Sequence, residues 1–232
     1  MIEKRYTEKG GEYFRQNPNW HKDDSAWKAE QIMKIINNNK IIPKTVADIG
    51  CGVGEVLLNI KKYLPANVSF AGFEVSIDAH KISKQKETKN MEFHLGDINS
   101  IKQYYDLLLA IDVIEHVENY FEFLLQCKKI AKYKIFHIPL DLSVLAILRN
   151  SLVLDRELVG HVHYFTKDLI LEALKECDYE VIDCFYTQGA CDLPRKTIKS
   201  KLAVIPRKIG YLLNKDLSAR TLGGYSLLIL AK

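Results

Sequence analysis

The 232-residue sequence contains no Cys-x-x-Cys pair, although it has five cysteines. Isolated cysteines do not build a zinc ribbon or a disulfide framework, and they favour reduced thiols in a cytoplasm. The first residues lack the apolar segment of a secretory signal peptide, and no apolar run has membrane-spanning length. There is no internal repeat and no low-complexity tract. We therefore expect a cytoplasmic globular protein, long enough for one α/β domain with insertions.

Charge is nearly balanced, with a formal net charge of +4, so composition alone does not indicate a nucleic-acid partner. The stretch 195–220 is the exception, because it has eight lysines and arginines and a single acid, Asp216, with apolar residues interleaved. This composition is typical of a solvated helical face, of a lid that meets an anionic acceptor, or of a peripheral membrane contact. No RNA-binding module is recognisable, which makes nucleic acid an unlikely partner.

Apolar segments alternate with helix-forming segments along most of the chain. Strands are predicted over 45–49, 69–74, 91–95, 106–111, 133–138, 179–186 and 225–231. Helices are predicted over 24–37, 54–63, 78–88, 118–131 and 166–177. This order predicts an α/β fold with a mainly parallel sheet and helices on both faces. In such sheets, ligands bind beyond the carboxyl ends of the strands.

Three glycines at alternate positions, Gly50, Gly52 and Gly54, follow the first predicted strand. Glycine permits positive φ in a tight turn and lets a ligand approach bare backbone. The helix that follows offers unpaired N–H groups to a polar ligand. The spacing differs from the Gly-x-Gly-x-x-Gly of dinucleotide-binding loops, which disfavours a nicotinamide-dependent oxidoreductase.

Two acids stand at the ends of the next strands. Glu74 ends the second predicted strand, where a carboxylate can accept hydrogen bonds from both ribose hydroxyls. Asp97 follows the third strand, where a carboxylate can accept a hydrogen bond from an adenine amino group. Together with the glycines, these acids predict an adenosine site with no requirement for a diphosphate.

The segment Asp112-Val-Ile-Glu-His116 follows the fourth predicted strand. Together with Asp48-x-Gly50-x-Gly52-x-Gly54, Glu74 and Asp97, it resembles the class I S-adenosylmethionine-dependent methyltransferases. Its local sequence pattern is similar to that of the ubiquinone-biosynthesis O-methyltransferases. The resemblance covers roughly residues 20–187 and the terminal strand. It implies S-adenosylmethionine as the cofactor and a Rossmann-like, seven-stranded sheet whose last strand is antiparallel and lies next to strand 6.

The resemblance also implies a role for each matching residue. Asp48 would steady the loop and the ammonium group of the cofactor, Glu74 would hold the ribose, and Asp97 would hold the adenine. The cofactor-binding residues implied in this way are Asp48, Gly50, Cys51, Gly52, Gly54, Glu74, Val75, Ser76, Asp97, Ile98, Ile111, Asp112 and Val113.

We expect residues 1–232 to form a single methyltransferase domain. Residues 1–40 would be an aromatic lead-in and a helix, the lead-in either packing on the surface or closing over the ligand as a flap. Residues 44–138 would bind the cofactor. Residues 139–163 and 188–223 would be insertions on the substrate side.

Methyl transfer to a hydroxyl is helped by a base, and His116 and His163 are the candidate catalytic residues. His161 and His163 would share one face if their segment were extended. His137, in the fifth strand, is expected to be a satisfied core residue. An alternative is a metal site made of Asp112, Glu115, His116 and His163, similar to that of small-RNA 3′-terminal methyltransferases; otherwise no metal is expected.

The predicted acceptor is a small or carrier-linked metabolite, sugar-linked or lipid-linked, that is methylated on oxygen. The choice of oxygen depends on the resemblance alone. The other hypotheses are a metal-assisted methyltransferase that acts on RNA 3′ ends and a non-catalytic protein that binds S-adenosylmethionine. The sequence does not predict an oligomeric state.

Overall fold

The computed structural model of the protein describes residues 22–194 and 202–232. The aromatic lead-in, residues 1–23, therefore lies outside the described residues except for its last two positions, and so do four of the eight cations of the stretch 195–220. Within the described ranges, no helix is both long enough and apolar enough to cross a membrane.

One seven-stranded sheet organises the fold, in the order β3-β2-β1-β4-β5-β7-β6. Its strands are β1 Thr45–Ile49, β2 Ser69–Glu74, β3 Met91–Leu95, β4 Tyr105–Ile111, β5 Ala131–Pro139, β6 Val181–Thr187 and β7 Ser226–Ala231. The first five strands are parallel, and β7 lies antiparallel between β5 and β6. The predicted architecture, with an antiparallel last strand beside strand 6, is therefore confirmed.

Helices cover both faces of the sheet. Their bounds are α1 Lys22–Asn38, α2 Glu55–Lys61, α3 Ile77–Lys84, α4 Tyr120–Ile130, α5 Val144–Leu148, α6 Ser151–Leu158, α7 Lys167–Glu176, α8 Gly189–Asp192, α9 Val204–Leu213 and α10 Lys215–Leu222, with short 3₁₀ turns at Ile98–Ser100 and Ile114–His116. α1 and α2 bury aliphatic residues on one face, and α4 and α7 do so on the other. Each buried leucine or isoleucine contributes about 1.5–3 kcal/mol of transfer free energy.

Element ends differ from the sequence prediction where pairing or capping decides them. β5 runs longer than predicted because Ala131 pairs with Tyr105 on β4 and Pro139 pairs with Ser226 on β7. α3 starts at Ile77 because the Ser76 side chain accepts a hydrogen bond from the N–H of Ala79. Both predicted insertions contain helices, with α5 and α6 in the first and α8, α9 and α10 in the second.

Candidate active site

A cavity of about 980 Å³ opens beyond the carboxyl ends of β1, β2, β4 and β5. Its volume is at the upper end of the range typical of small-molecule sites. The predicted cofactor-binding residues that line it are Asp48, Gly50, Cys51, Gly52, Glu74, Val75, Asp97, Ile98, Ile111, Asp112 and Val113. Gly54 and Ser76 stand at the starts of α2 and α3, directly behind this wall.

The glycine loop needs its three glycines for different reasons. All three have positive φ, at 67° for Gly50, 55° for Gly52 and 81° for Gly54. A Cβ on Gly50 would lie 2.7 Å from Val113, and one on Gly54 would lie 2.6 Å from Phe93, so packing excludes side chains there. A Cβ on Gly52 would have nothing within 4 Å. Gly52 therefore presents bare backbone to open cavity space, as a ligand that lies against the loop requires.

The carboxylate of Glu74 fastens this loop to the end of β2. Its Oε2 accepts a hydrogen bond of 2.8 Å from the N–H of Gly52, and its Oε1 accepts one of 2.7 Å from the N–H of Ser76. Burial raises the pKa of Glu74 above its usual value, while these backbone donors act in the opposite direction. The acid predicted to hold a ribose therefore also fixes the position of the loop.

Asp48 is buried beneath the loop, and its Oδ1 has no hydrogen-bond partner. Burial raises the pKa of this carboxyl well above its usual value, Glu74 adds to the shift, and Lys28 opposes it. A buried acceptor without a donor calls for an explanation. A cationic ligand group in the cavity, such as an ammonium, would supply the missing donor.

Asp112 is held by Lys28 on one side and by His137 on the other. The Lys28 Nζ lies 2.8 Å from its Oδ2 and also 2.8 Å from Asp24, and the Nδ1 of His137 lies 2.5 Å from its Oδ1. Burial alone would raise the pKa of Asp112, but attraction to His137 and Lys28 holds that pKa far below its usual value. Burial likewise opposes the charge of Lys28, yet Asp112 and Asp24 raise the Lys28 pKa above its usual value. Asp112 is therefore an ionised wall residue with its oxygens already paired.

His137 is satisfied, as predicted, but it also lines the cavity. Its Nε2 lies 2.8 Å from the hydroxyl of Thr187, and its Nδ1 contacts Asp112. Both ring nitrogens thus have partners, and the ring joins β5 to β4 and β6. His137 therefore stabilises the wall of the cavity by linking the ends of these strands.

A second group of titratable side chains lies in the same cavity. The rings of His116 and His161 meet edge to face, with centroids 4.9 Å apart. The Nδ1 of His116 lies 3.2 Å from the carbonyl oxygen of Gly160, and the Nδ1 of His161 lies 2.7 Å from a carboxylate oxygen of Asp141. The predicted catalytic residue His116 is thus at the site, together with His161.

Glu115 lies beside these rings and is fully buried, and neither of its carboxylate oxygens has a hydrogen-bond partner. Burial raises the pKa of Glu115 well above its usual value, and the charges of Asp112 and Asp141 add to the shift. One ligand atom from each of Glu115, His116 and His161 lies within 4.8 Å of the others. Carboxylate and imidazole are suitable ligands for a divalent transition metal.

This grouping contains Glu115 and His116 of the predicted alternative metal set but not Asp112 or His163. Asp112 is paired with Lys28 and His137, and the Nε2 of His163 lies 3.1 Å from the carbonyl oxygen of Glu118. His161 and His163 would share a face only in an extended segment, and theirs is not a strand. The N–H groups of Val162 and His163 both bond the Glu115 carbonyl, at 2.8 and 3.2 Å, which bends the segment.

Sequence reasoning missed Lys28 and Asp141, which both line the cavity. Asp141 follows β5, just as Asp97 and Asp112 follow β3 and β4 and as Glu74 ends β2, so its position at the end of a strand was a signal that could have identified it. Lys28 is in the middle of α1, where nothing local distinguishes it from other surface lysines.

A family model described as a methyltransferase domain matches residues 20–184. Among solved structures, the chain is similar to mycolic acid cyclopropane synthase crystallised with S-adenosylhomocysteine, with 14% identity, a TM-score of 0.63, and coverage of 95% of this chain and 97% of that one. It is also similar to an S-adenosylmethionine-dependent methyltransferase from Archaeoglobus fulgidus, with 19% identity, a TM-score of 0.62, and coverage of 95% of this chain and 99% of that one. A third similar structure is magnesium protoporphyrin IX methyltransferase from Synechocystis, also with S-adenosylhomocysteine bound. The identity is 15%, the TM-score is 0.60, and the match covers 89% of this chain and 82% of that one. A search of curated protein sequences finds no match.

Proposed function

The chain belongs to the family of methyltransferase domains, and on that basis we propose that it transfers a methyl group from S-adenosylmethionine to an oxygen atom of a small or carrier-linked acceptor. Similar folds have been crystallised with this cofactor or with its demethylated product. The names of such proteins include unlike substrates, a magnesium porphyrin and a mycolic acid among them. The acceptor of this chain is therefore proposed by chemical class.

One observation carries the proposal: a single cavity is lined both by the predicted cofactor-binding residues and by a separate pair of imidazoles. Asp48 offers an unpartnered carboxylate oxygen to the ammonium group of the cofactor, and Gly52 leaves room for the methionine part. Glu74 and Asp97 line the same cavity, where they would meet the ribose and the adenine. The sulfonium is already activated, so the protein must align the acceptor with the methyl group and exclude water.

The imidazole pair would remove the acceptor proton. A carbonyl oxygen only accepts hydrogen bonds, so the Nδ1 of His116 carries the proton in its contact with Gly160. Asp141 holds the Nδ1 of His161 in the same way, which leaves the Nε2 of His161 as a base of neutral imidazole type. We propose His161, positioned by Asp141, as the base, with His116 beside it, in place of the predicted His163.

Calorimetric titration with S-adenosylhomocysteine tests the cofactor half of the proposal. Wild-type protein should bind one equivalent, and Asp48→Asn should bind at least about tenfold more weakly because it loses the charge that faces the ammonium group. Methyl-tritiated S-adenosylmethionine, incubated with lipid and aqueous fractions of a cell extract, tests the transfer half. Binding without transfer to any fraction would instead favour the non-catalytic alternative.

A second candidate is metal-assisted transfer at the same site, as in the alternative that acts on RNA 3′ ends. It is favoured by the buried carboxylate of Glu115, which lacks a hydrogen-bond partner and lies beside two imidazoles, with the Nε2 of His116 at 4.0 Å. A bound divalent ion would lower the pKa of an acceptor hydroxyl. Transfer that stops in EDTA and returns with Mn²⁺ or Zn²⁺ would support this candidate, and transfer that is insensitive to EDTA would exclude it.

A further inference from the structure

The helix α9 presents its aliphatic side to solvent. Ile205, Ile209, Leu212 and Leu213 are spaced by three or four residues or are adjacent, which puts them on one face of the helix. Their exposed fractions lie between 54% and 84%. Four large aliphatic residues on one helix are thus left in contact with water.

The opposite side of α9 is the side that packs on the protein. The Nε of Arg207 donates a hydrogen bond of 2.9 Å to the carbonyl of Gly223, and the ring of Tyr211 stacks on Tyr225 with centroids 5.7 Å apart. A Cβ on Gly210 would lie 2.7 Å from the hydroxyl of Ser218, so the helix approaches α10 closely there. A surface helix ordinarily buries its aliphatic stripe, whereas α9 is anchored through polar, small and aromatic residues and points its stripe outward.

The first insertion has the same property. α5 and α6 have no buried residue, and their exposed aliphatic residues are Val144, Ile147, Leu148, Val153, Leu154 and Leu158. α5 packs against α10, and α10 packs against α9. Exposed aliphatic residues therefore occur in both helical insertions, and α5 and α9 both pack against α10. Concentrations of this kind mark interaction sites more often than scattered surface residues do.

Charge indicates which kind of partner these helices meet. Lys208 lies on α9 and Arg149 directly follows α5, and both side chains are exposed, whereas α6 carries Arg156 between the acids Asp155 and Glu157. In the sequence immediately before α9, residues 195–201, outside the described ranges, add four cations and no acid. Basic residues beside exposed aliphatic ones complement an anionic lipid surface. Pairing of two copies through α9 would instead bring their Lys208 side chains towards each other, which repulsion opposes.

We propose that α9, together with α5 and α6, docks on an anionic lipid bilayer, with its aliphatic residues in the interface and its cations among the headgroups. The rim of the cavity adjoins these helices, because Val159 follows α6 and Ala190 lies on α8, which packs against α9. Docking would therefore bring the cavity to the lipid surface. If the proposed function holds, the acceptor is one that a lipid carries.

Vesicle flotation tests the docking. Full-length protein is mixed with vesicles of phosphatidylcholine alone, or with vesicles in which about a third of the lipid is phosphatidylglycerol. The test variant is the double substitution Ile209→Glu with Leu212→Glu, and a second is Ile147→Glu with Leu148→Glu. The matched control is Ile42→Glu, because Ile42 is 83% exposed and precedes β1, at the edge of the sheet opposite the cavity.

Wild type and Ile42→Glu should float with the anionic vesicles, more weakly at high salt, and each double variant should lose at least about tenfold in vesicle affinity. Failure of the wild type to float, or flotation of both double variants as well as the wild type, would overturn the proposal. The proposal would also be overturned if the wild type were a dimer and the substitutions converted it to a monomer without any effect on flotation. S-adenosylhomocysteine binding should be equal in all these proteins. Absence of this binding in the wild type would count against the proposed function and not against docking.

Discussion

Lys28 on α1 and Asp112 after β4 form an ion pair of 2.8 Å across 84 positions of sequence, at the wall of the candidate site. Asp112 adopts a φ of +55°, which is unfavourable for a residue with a side chain. The ion pair and the contact with His137 hold the residue in that conformation. Through this pair, the first helix is fastened to the edge of the sheet where the cavity opens.

Replacing Lys28 by Met should lower the free energy of unfolding by about 3–5 kcal/mol, because it leaves Asp112 and Asp24 charged and poorly solvated. Urea unfolding followed by circular dichroism measures the loss. Lys175→Met is the matched control, since the pair of Lys175 with Glu172 is exposed and such pairs contribute at most about 1 kcal/mol. Similar losses in the two variants would contradict the importance of the Lys28–Asp112 pair.

Glu115→Gln should stabilise the metal-free protein at high pH. Burial puts the folded-state pKa of Glu115 above the usual 4.5, so protonation favours the folded state. The stability from this group is complete below the unfolded pKa and is lost as pH rises through the folded pKa. As the pH rises from the usual pKa of a glutamate towards the raised folded-state pKa of Glu115, the wild type should therefore lose stability relative to Glu115→Gln, by up to about 1.4 kcal/mol per pH unit.

Unfolding in urea with EDTA, at a series of pH values, checks this prediction for Glu115. A stability difference that does not change with pH would refute it. A wild type that becomes the more stable protein when Mn²⁺ or Zn²⁺ is added would support the metal-assisted candidate.

His161→Gln and His163→Gln should differ in their effect on methyl transfer, although the two residues are only two positions apart. Loss of the proposed base should reduce methyl transfer by about 10²–10⁴-fold, while S-adenosylhomocysteine binding stays unchanged. His163 contacts the Glu118 carbonyl and the ring of Tyr120, so its substitution should leave transfer within about threefold of wild type. Transfer lost only in His163→Gln would restore the sequence-based prediction.

Two adjacent cations of the basic stretch should also differ. Arg207 donates hydrogen bonds to the carbonyls of Gly223 and Leu222, so Arg207→Met should cost about 1–3 kcal/mol of unfolding free energy. Lys208 is exposed, and Lys208→Met should change stability by less than about 0.5 kcal/mol. Thermal unfolding followed by circular dichroism compares the two, and an equal effect would show that Arg207 does not anchor α9.

The strands and the glycine loop could be predicted because their signals are local. β1, β2 and β3 have the predicted bounds, since each is a short run, apolar in β1 and β2 and alternating in β3, that ends at a turn-forming or charged residue. Gly50, Gly52 and Glu74 stand next to one another in the structure because consecutive parallel strands end at the same edge of the sheet.

The histidine pairing and the orientation of α9 could not be predicted in this way. Which of His161 and His163 enters the cavity depends on two hydrogen bonds to the Glu115 carbonyl, 47 or 48 positions away. The apolar spacing of α9 is the same whether its stripe is buried or exposed, and the contacts of Arg207 and Tyr211 decide the outcome. Such choices are made by tertiary contacts and leave no mark in a local pattern.

The most direct test of the proposed cofactor site is calorimetric titration of S-adenosylhomocysteine into wild type and Gly52→Ala. A Cβ at Gly52 meets no protein atom within 4 Å, so the variant should fold, at a cost of about 1 kcal/mol for its positive φ. The methyl group would occupy the space assigned to the methionine part of the cofactor. We expect one equivalent to bind to wild type, and the affinity of the folded variant to be at least about tenfold lower. Equal affinities in the two proteins would contradict the site.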